Sequence, residues 1–204
     1  MTGAKIEFLS EEFIAARAAE FLNKYHPSNT IPIPIDQIAE CDLRLSICYS
    51  HDLERTFNIV GFLSSDMREL TIDYSVLFQQ PTPRFRFTIA HEIGHMVLHR
   101  EIYESARFST TDEWKIFINS FSEKDHSRLE YHANRFAGYL LVPSVHLRVE
   151  LESLKEEISN LVDNTVLDQD RIWEIIYEEL GKRFEVSKEV IRIRIDNDHL
   201  RLLK

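Results

Sequence analysis

The stretch FTIAHEIGHMVLHR, residues 87–100, carries three histidines and a glutamate in an otherwise largely apolar segment. His91 and His95 are four residues apart, so on a helix their side chains share a face and lie about 6 Å apart along the axis. Both imidazoles can then bind one ion at the usual zinc–nitrogen distance of about 2.0–2.1 Å. The spacing therefore predicts two metal ligands on one helix.

Glu92 follows the first of these histidines and completes an HExxH motif. It lies about 100° around the helix from His91, which places its carboxylate beside the metal and close to a water that the metal activates. A glutamate at this position serves as the general base of a metallopeptidase. The alternative is a set of core histidines, and it is disfavoured because burying imidazoles without partners would cost free energy.

A catalytic zinc site needs a third protein ligand and an open position for water. Metzincins supply a histidine from HExxHxxGxxH, but here Leu98 stands at the position of the glycine. His99 lies one turn beyond His95, too far along a continuing helix to complete a compact tetrahedron. We expect His99 to end the helix or to contact a metal ligand without binding the metal itself. Direct binding of the metal by His99 is the alternative.

The segment LEYHANRFAGYLLVP, residues 129–143, offers a third ligand. Glu130 and Asn134 are four apart and share a helix face, so Glu130 can bind metal while Asn134 supports a ligand histidine by a hydrogen bond. His132 is the rival ligand and lies about 200° around the helix from Glu130. The two side chains cannot both face one metal.

Peptide hydrolysis also needs a donor that stabilises the developing oxyanion. The chain holds several hydroxyl and imidazole groups near the motifs, and the sequence does not choose among them. The candidates are Tyr131, His126 and His132, together with Tyr139 and Tyr103.

Helical periodicity dominates the chain, with extended stretches between residues 30 and 74. Ser10 can cap a first helix that Pro27 ends. LRLSICY, residues 43–49, alternates like a strand, and residues 59–74 predict two strands around a polar turn. We therefore expect a small sheet beside the histidine-bearing segment.

The two motif helices have their own start and stop signals. Thr82 and Pro83 suit the cap and first residue of the HExxH helix. Asp125 can cap the second helix, which Pro143 closes. Residues 100–124 between them are poorly periodic and predict a long connection, with a short helix at DEWKIFINSF as the one regular element.

The C-terminal part is charged and helical. Leucines between residues 147 and 154 form one stripe, and isoleucines further on form a second stripe that Gly181 ends as a C-cap. Ser187 caps a last helix, although its IRIRI alternation also fits a terminal strand. We predict one domain, residues 1–204, consisting of an N-terminal helix (1–30), a core (31–143) and a helical C-terminal part (144–204).

The composition restricts the function. The 204 residues are 44% apolar and 28% charged, as in soluble globular proteins. A net charge of −10 argues against nonspecific nucleic-acid binding. The chain has no apolar run of the ~20 residues that a membrane span requires, and its start lacks the order of a signal peptide. With Cys41 and Cys48 expected as free thiols, we predict a cytoplasmic protein without membrane contact.

The two motifs together resemble a known family. HEIGHMVLH followed by E-x-x-AN-x-FA-x-x-LL-x-P is similar to the ImmA/IrrE family of bacterial and phage-associated zinc metallopeptidases. The flanks IPIPIDQIAE, VGFLSSDMRELTID and FEVSKEVIRIRI follow the order usual in that family. The resemblance covers most of the chain, from about residue 30 to about residue 195.

The resemblance implies an α+β, mostly helical zincin-like fold with a small antiparallel sheet beside the HExxH helix. It carries over His91, His95 and Glu130 as ligands of Zn²⁺ and Glu92 as the catalytic base. Family members typically cleave helix-turn-helix transcriptional repressors, so the implied partner is such a repressor or an antitoxin. Many relatives have an acidic residue at the position of His132.

Other functions remain open at this stage. The protein could be a non-catalytic, zinc-stabilised binding module that sequesters a repressor or antitoxin, because closed zinc sites stabilise folds without catalysis. Glu92 favours an enzyme, since a structural site has no use for a base. A peptidase that is latent until stimulated is a further alternative. Some relatives carry an N-terminal DNA-binding domain, for which residues 1–30 are too short, so we expect no direct DNA binding. The sequence leaves the oligomeric state open.

Overall fold

The computed structural model describes residues 5–79, 83–161 and 169–202, and within these ranges the chain is mainly helical with one small sheet. The predicted mostly helical α+β class is therefore confirmed. The helices are α1 (Glu11–Tyr25), α2 (Ile35–Gln37), α3 (Leu53–Phe57), α4 (Pro83–Leu98), α5 (Arg100–Ala106), α6 (Thr111–Asn119), α7 (Glu123–Leu141), α8 (Ser144–Leu161), α9 (Gln169–Phe184) and α10 (Lys188–Asn197). The strands are β1 (Ser46–Ser50), β2 (Gly61–Leu63) and β3 (Glu69–Asp73). Short turns of other helix types cover Ile38–Asp42, Tyr74–Gln79 and Leu200–Leu202.

The sheet has the strand order β1-β3-β2, so β2 is an edge strand. The predicted hairpin is confirmed, because β2 and β3 pair antiparallel with Leu63 opposite Leu70. The expectation of a purely antiparallel sheet is wrong, because β1 pairs parallel to β3. Residues 51–68 between these strands include α3 and β2, which is long enough for the crossover that parallel strands need. Alternation of apolar residues predicts a strand but not its direction.

Helices α4 and α7 pack against each other at a glycine of the HExxH motif. A Cβ atom on Gly94 would lie 3.1 Å from both the Cα and the carbonyl oxygen of Ala133, and 3.3 Å from the Cβ of Phe136. Phe136 in turn packs edge-on against Phe21 of α1, with ring centroids 6.1 Å apart. The absent side chain of Gly94 lets the two motif helices approach closely, and α1 covers the other side of α7.

We expect Gly94→Val to lower the free energy of unfolding by about 1–3 kcal/mol, because overpacking at a backbone contact cannot be relieved by rotating a side chain. Gly94→Ala should lower it by less. Urea unfolding of both variants beside the parent protein measures the effect. Unchanged stability of the valine variant would mean that the two helices are not held this closely.

In the segment 100–124 the short helix expected at DEWKIFINSF is present as α6, whereas α5 stands where an irregular connection was expected. A capping box between Thr110 and Glu113 starts α6. The rings of Tyr103 and Phe108 both pack on Phe117, with centroids 5.3 and 4.8 Å apart. These helices are short and held by aromatic contacts, which explains their weak periodicity. The capping box was a further sequence signal for the start of α6.

Several helix ends also differ from the sequence-based expectations. Ser10 caps α1 as predicted, whereas Ser122, and not Asp125, caps α7, because its hydroxyl accepts the backbone N–H of Asp125. Helix α9 continues through Gly181 to Phe184, and the left-handed residue after it is Glu185.

The C-terminal alternation forms the helix α10 rather than a strand, with Ser187 as its cap. Pro83 begins α4 as expected, and the predicted cap Thr82 lies outside the described residues. Among the helices of residues 5–79, 83–161 and 169–202, none combines the length and apolarity that would let it cross a membrane.

Candidate metal centre

Helices α4 and α7 bring three ligand-type side chains to one point. The Nε2 atoms of His91 and His95 are 3.1 Å apart. Oε2 of Glu130 lies 3.4 Å from Nε2 of His91, and its Oε1 lies 3.6 Å from Nε2 of His95. The ligand atoms of the three residues all lie within 4.8 Å of one another. The group thus joins two residues of the HExxH motif to one residue from the second motif.

These distances suit a single metal ion. Two ligand atoms that each lie about 2.0–2.1 Å from a tetrahedral zinc ion are about 3.3 Å apart, and the three separations here bracket that value. Two imidazoles and a carboxylate are also one of the donor sets of catalytic zinc sites. The residues therefore fit a divalent cation such as Zn²⁺.

Asn134 supports the first histidine of the group. Nδ1 of His91 donates to the amide oxygen of Asn134 at 3.0 Å. Because a neutral imidazole has one N–H and one lone pair, this bond leaves the lone pair on Nε2, the atom that faces the group. The pairing matches the arrangement that the four-residue spacing of Glu130 and Asn134 suggests.

The other two histidines near the motifs lie behind the group. Nδ1 of His99 is 3.2 Å from Nδ1 of His95, and its Nε2 is 3.2 Å from Nδ1 of His132. All three rings are buried. His99 therefore contacts a candidate ligand from behind, and His132 lies one ring further from the metal position. Neither belongs to the group of converging ligand atoms.

Glu92 is buried beside the same group, with a 5% exposed fraction. Burial, as the largest effect, raises the pKa of its carboxyl to about 7; the charge of Glu130 raises it further, whereas His91 and a backbone hydrogen bond from Leu63 lower it. A carboxyl that titrates near neutral pH can both accept and return a proton. The backbone of Leu63 in β2 lies near this carboxyl.

His91 and Glu130 each favour the charged form of the other, against the effect of burial. Burial alone would lower the pKa of His91, but the hydrogen bond to Glu130 and nearby carboxylates raise it. Burial alone would raise the pKa of Glu130, but the hydrogen bond and charge of His91 lower it. Burial and neighbouring histidines bring the pKa of His95 well below its ordinary value, so this imidazole is neutral at physiological pH. Metal binding requires an unprotonated nitrogen of this kind.

A cleft of about 470 Å³ opens over the candidate metal centre. The start of the edge strand β2 and the residues before it line one part of the cleft. Helix α6, whose Trp114 packs against Phe62 of β2 with ring centroids 5.8 Å apart, lines the adjoining part. Apolar side chains from α4 and α6 make up much of this lining. The lining of the cleft includes Val60, Gly61, Phe87, Trp114, Ile118 and His126. The sequence predicted a short helix at the position of α6 but not that it lines this cleft, because the pattern within a segment does not report what the segment packs against.

The structure separates the candidate oxyanion donors. The hydroxyl of Tyr131 donates to Glu11 at 2.8 Å, and His132 is fully buried. Neither lines the cleft, so neither can serve as a donor there. His126 lines the cleft with Nε2 3.8 Å from Oε1 of Glu130. Tyr103 also lines it and stacks on the His95 ring with centroids 5.4 Å apart.

Comparison with known families identifies the family to which the chain belongs. A family model described as the IrrE N-terminal-like domain, Peptidase_M78, matches residues 78–196, which is more than half of the chain. The chain belongs to the Peptidase_M78 family. The match includes both motif helices of this Peptidase_M78 chain, and it confirms the resemblance drawn from their residues. A candidate metal-binding group of two histidines and a glutamate is in keeping with this peptidase family.

Solved structures share the fold of this Peptidase_M78 chain. One of them is a Mycobacterium tuberculosis transcriptional regulator, with a TM-score of 0.51 and 15% sequence identity. The alignment covers 89% of this chain and 46% of that one, so the Peptidase_M78 chain spans less than half the length of the regulator. At this identity the likeness concerns the fold alone. Among curated proteins, none matches the chain.

Proposed function

We propose that the protein is a zinc-dependent endopeptidase in which His91, His95 and Glu130 hold the metal and Glu92 is the general base. The observation that carries this proposal is the convergence of three donors from two helices beside a buried carboxyl. A divalent metal bound there would polarise a substrate carbonyl and lower the pKa of a water molecule.

The chain's own groups supply the proton transfers. In the proposed reaction, the Glu92 carboxylate takes a proton from the attacking water and later gives it to the nitrogen of the leaving amine. In the metal-free protein burial raises the pKa of Glu92 from 4.5 to about 7; a bound divalent cation would favour the carboxylate, the form that takes the proton from water. His126 and Tyr103 line the same cleft, and we propose that one of them donates to the developing oxyanion.

The substrate is proposed to bind as an extended strand. Strand β2 is at the edge of the sheet, and Val60 and Gly61 line the cleft. Phe62 and Leu63 of β2 are buried, so we propose that a peptide pairs with the partly exposed main chain of Val60 and Gly61, while the cleft receives alternate side chains of the peptide. The apolar surfaces of Trp114 and Ile118, which also line the cleft, then favour apolar side chains of the substrate. An extended loop or terminus suits this site better than a folded surface.

We propose a helix-turn-helix repressor or an antitoxin in the cytoplasm as the protein substrate. The family resemblance supports this substrate class, and the solved chain of similar fold is a transcriptional regulator. The rival function is a binding module that holds such a protein without cutting it. Glu92 favours the enzyme, because a buried ionisable carboxyl lowers stability and a purely structural metal site does not need it.

The test is to incubate the zinc-loaded protein with the helix-turn-helix protein encoded beside it, with and without a chelator, and to identify products by mass spectrometry. We expect one defined cut that appears only when metal is present. A stoichiometric complex that stays intact with metal would favour the binding module.

A further inference from the structure

Residues 5–10, here called the N-terminal arm, lie across the helix that carries Glu130. The backbone N–H of Ile6 donates to Oδ1 of Asp125 at 3.1 Å, and Arg128 donates to the carbonyl oxygen of Ile6 at 2.9 Å. The side chain of Ile6 is buried, and Phe8 stacks on Tyr131. The arm is therefore docked on α7 through both polar and apolar contacts.

A continuous chain of hydrogen-bonding atoms joins this arm to the candidate metal centre. The backbone N–H of Leu9 donates to Nε2 of His132 at 3.1 Å. Nδ1 of His132 is 3.2 Å from Nε2 of His99, and Nδ1 of His99 is 3.2 Å from Nδ1 of His95. The three rings are 0%, 3% and 2% exposed, so water does not compete for these contacts.

We propose that His99 and His132 are positioning residues for the metal ligand His95, and that they couple metal binding to docking of the N-terminal arm. This inference rests on the proposed function, because it requires a metal at His95. A ligand imidazole is oriented by the partner of its other ring nitrogen. For His91 that partner is an amide oxygen, whereas for His95 it is another imidazole, which itself needs a partner.

The direction of the hydrogen bonds determines the sign of the coupling. When Nε2 of His95 gives its lone pair to a metal, its Nδ1 carries the hydrogen and donates to His99, which then donates from Nε2 to His132. Each ring stays neutral, so the remaining N–H of His132 is at Nε2 and faces the N–H of Leu9. Two donors cannot bond, and metal loading therefore weakens the contact with Leu9 while the two ring–ring contacts remain paired.

The first test compares two substitutions of His132. In His132→Phe no atom can accept from His99, a loss that by itself lowers zinc affinity about 10–100-fold. The roughly fivefold opposition from the Leu9 contact is removed as well, so we expect a net fall of about 2–20-fold. In His132→Asn the amide oxygen replaces Nδ1 as the acceptor and the opposing contact with Leu9 is lost, so affinity should lie between that of the parent and about fivefold above it. Competition with a chelating indicator measures the affinity of the full chain. Absorption of bound Co²⁺ should change in the phenylalanine variant, because the ligand ring reorients.

Tyr139→Phe is the matched control. It removes the hydrogen bond that Tyr139, which lies on α7 like His132, donates to Glu11 of α1. This bond is not part of the chain of contacts from Leu9 to His95, so stability falls while zinc affinity does not. If the parent binds no zinc, the proposed function fails. If the parent binds zinc and His132→Phe binds it equally well, the inference is overturned and the proposed function stands.

The second test needs no substitution and covers the case in which His132→Phe does not fold. Amide hydrogen exchange at Leu9 is measured in the full-length protein with and without zinc. We expect exchange to be about fivefold faster with zinc, since one hydrogen bond of ordinary strength is lost. Reciprocity requires the arm and the metal to oppose each other by the same factor. Exchange that is unchanged or slower on loading would refute the coupling.

Discussion

Glu92→Gln should lower the rate of peptide cleavage by about 10²–10⁴-fold while the protein still binds zinc. Glutamine keeps the size of the side chain, but it cannot take a proton from water or return one to the leaving amine. The ligand atoms of His91, His95 and Glu130 are untouched by the change. Cleavage of the repressor is followed by mass spectrometry, and zinc content by elemental analysis of the same samples.

The same variant has a second, independent signature in stability. Burial raises the pKa of Glu92 from 4.5 to about 7, so the folded, metal-free protein holds this proton more tightly than the unfolded chain does. Its stability therefore falls as the pH rises from about 4.5 to about 7. Glutamine has no such titration, and at pH 8 it should stabilise the metal-free protein by on the order of 3 kcal/mol.

Urea unfolding of the metal-free parent and variant at pH 5 and pH 8 tests the stability effect, which should be larger at the higher pH. A variant that cleaves at the parental rate would remove Glu92 from the reaction. A variant with full zinc, no cleavage and an unchanged effect on repressor function in cells would instead favour the binding module.

Glu130→Gln should weaken zinc binding by at least about 100-fold, more than the loss of a merely supporting contact. The neutral amide is a poor metal ligand, and the site would keep only the two imidazoles. Cleavage should disappear together with the metal. The measurement is zinc content after dialysis, followed by the indicator competition assay.

Glu123→Gln is the matched control for this substitution. Glu123 is an exposed carboxylate in the first turn of the same helix α7, so its loss changes the net charge equally but leaves the metal centre intact. We expect parental zinc content and cleavage. If Glu130→Gln also kept both, the third ligand would have to be another residue.

The amino-acid sequence by itself determined the parts of the site that depend on helix geometry alone. A period of 3.6 residues places His91 and His95 on one face, and it places Glu130 and Asn134 on one face. The same geometry separates His132 from Glu130, so that Glu130 reaches the cleft and His132 lies behind it. These relations hold for any helix, whatever packs against it.

Only the tertiary structure decided how these local pieces meet. The contact between Gly94 and Ala133 sets the distance between the two motif helices, and with it the separation of Glu130 from the histidines. The parallel pairing of β1 and the wall formed by α6 also depend on residues far apart in the chain. So does the link from Leu9 to His95. Periodicity within a segment reports which face is buried, but it carries no information about which distant segment covers that face.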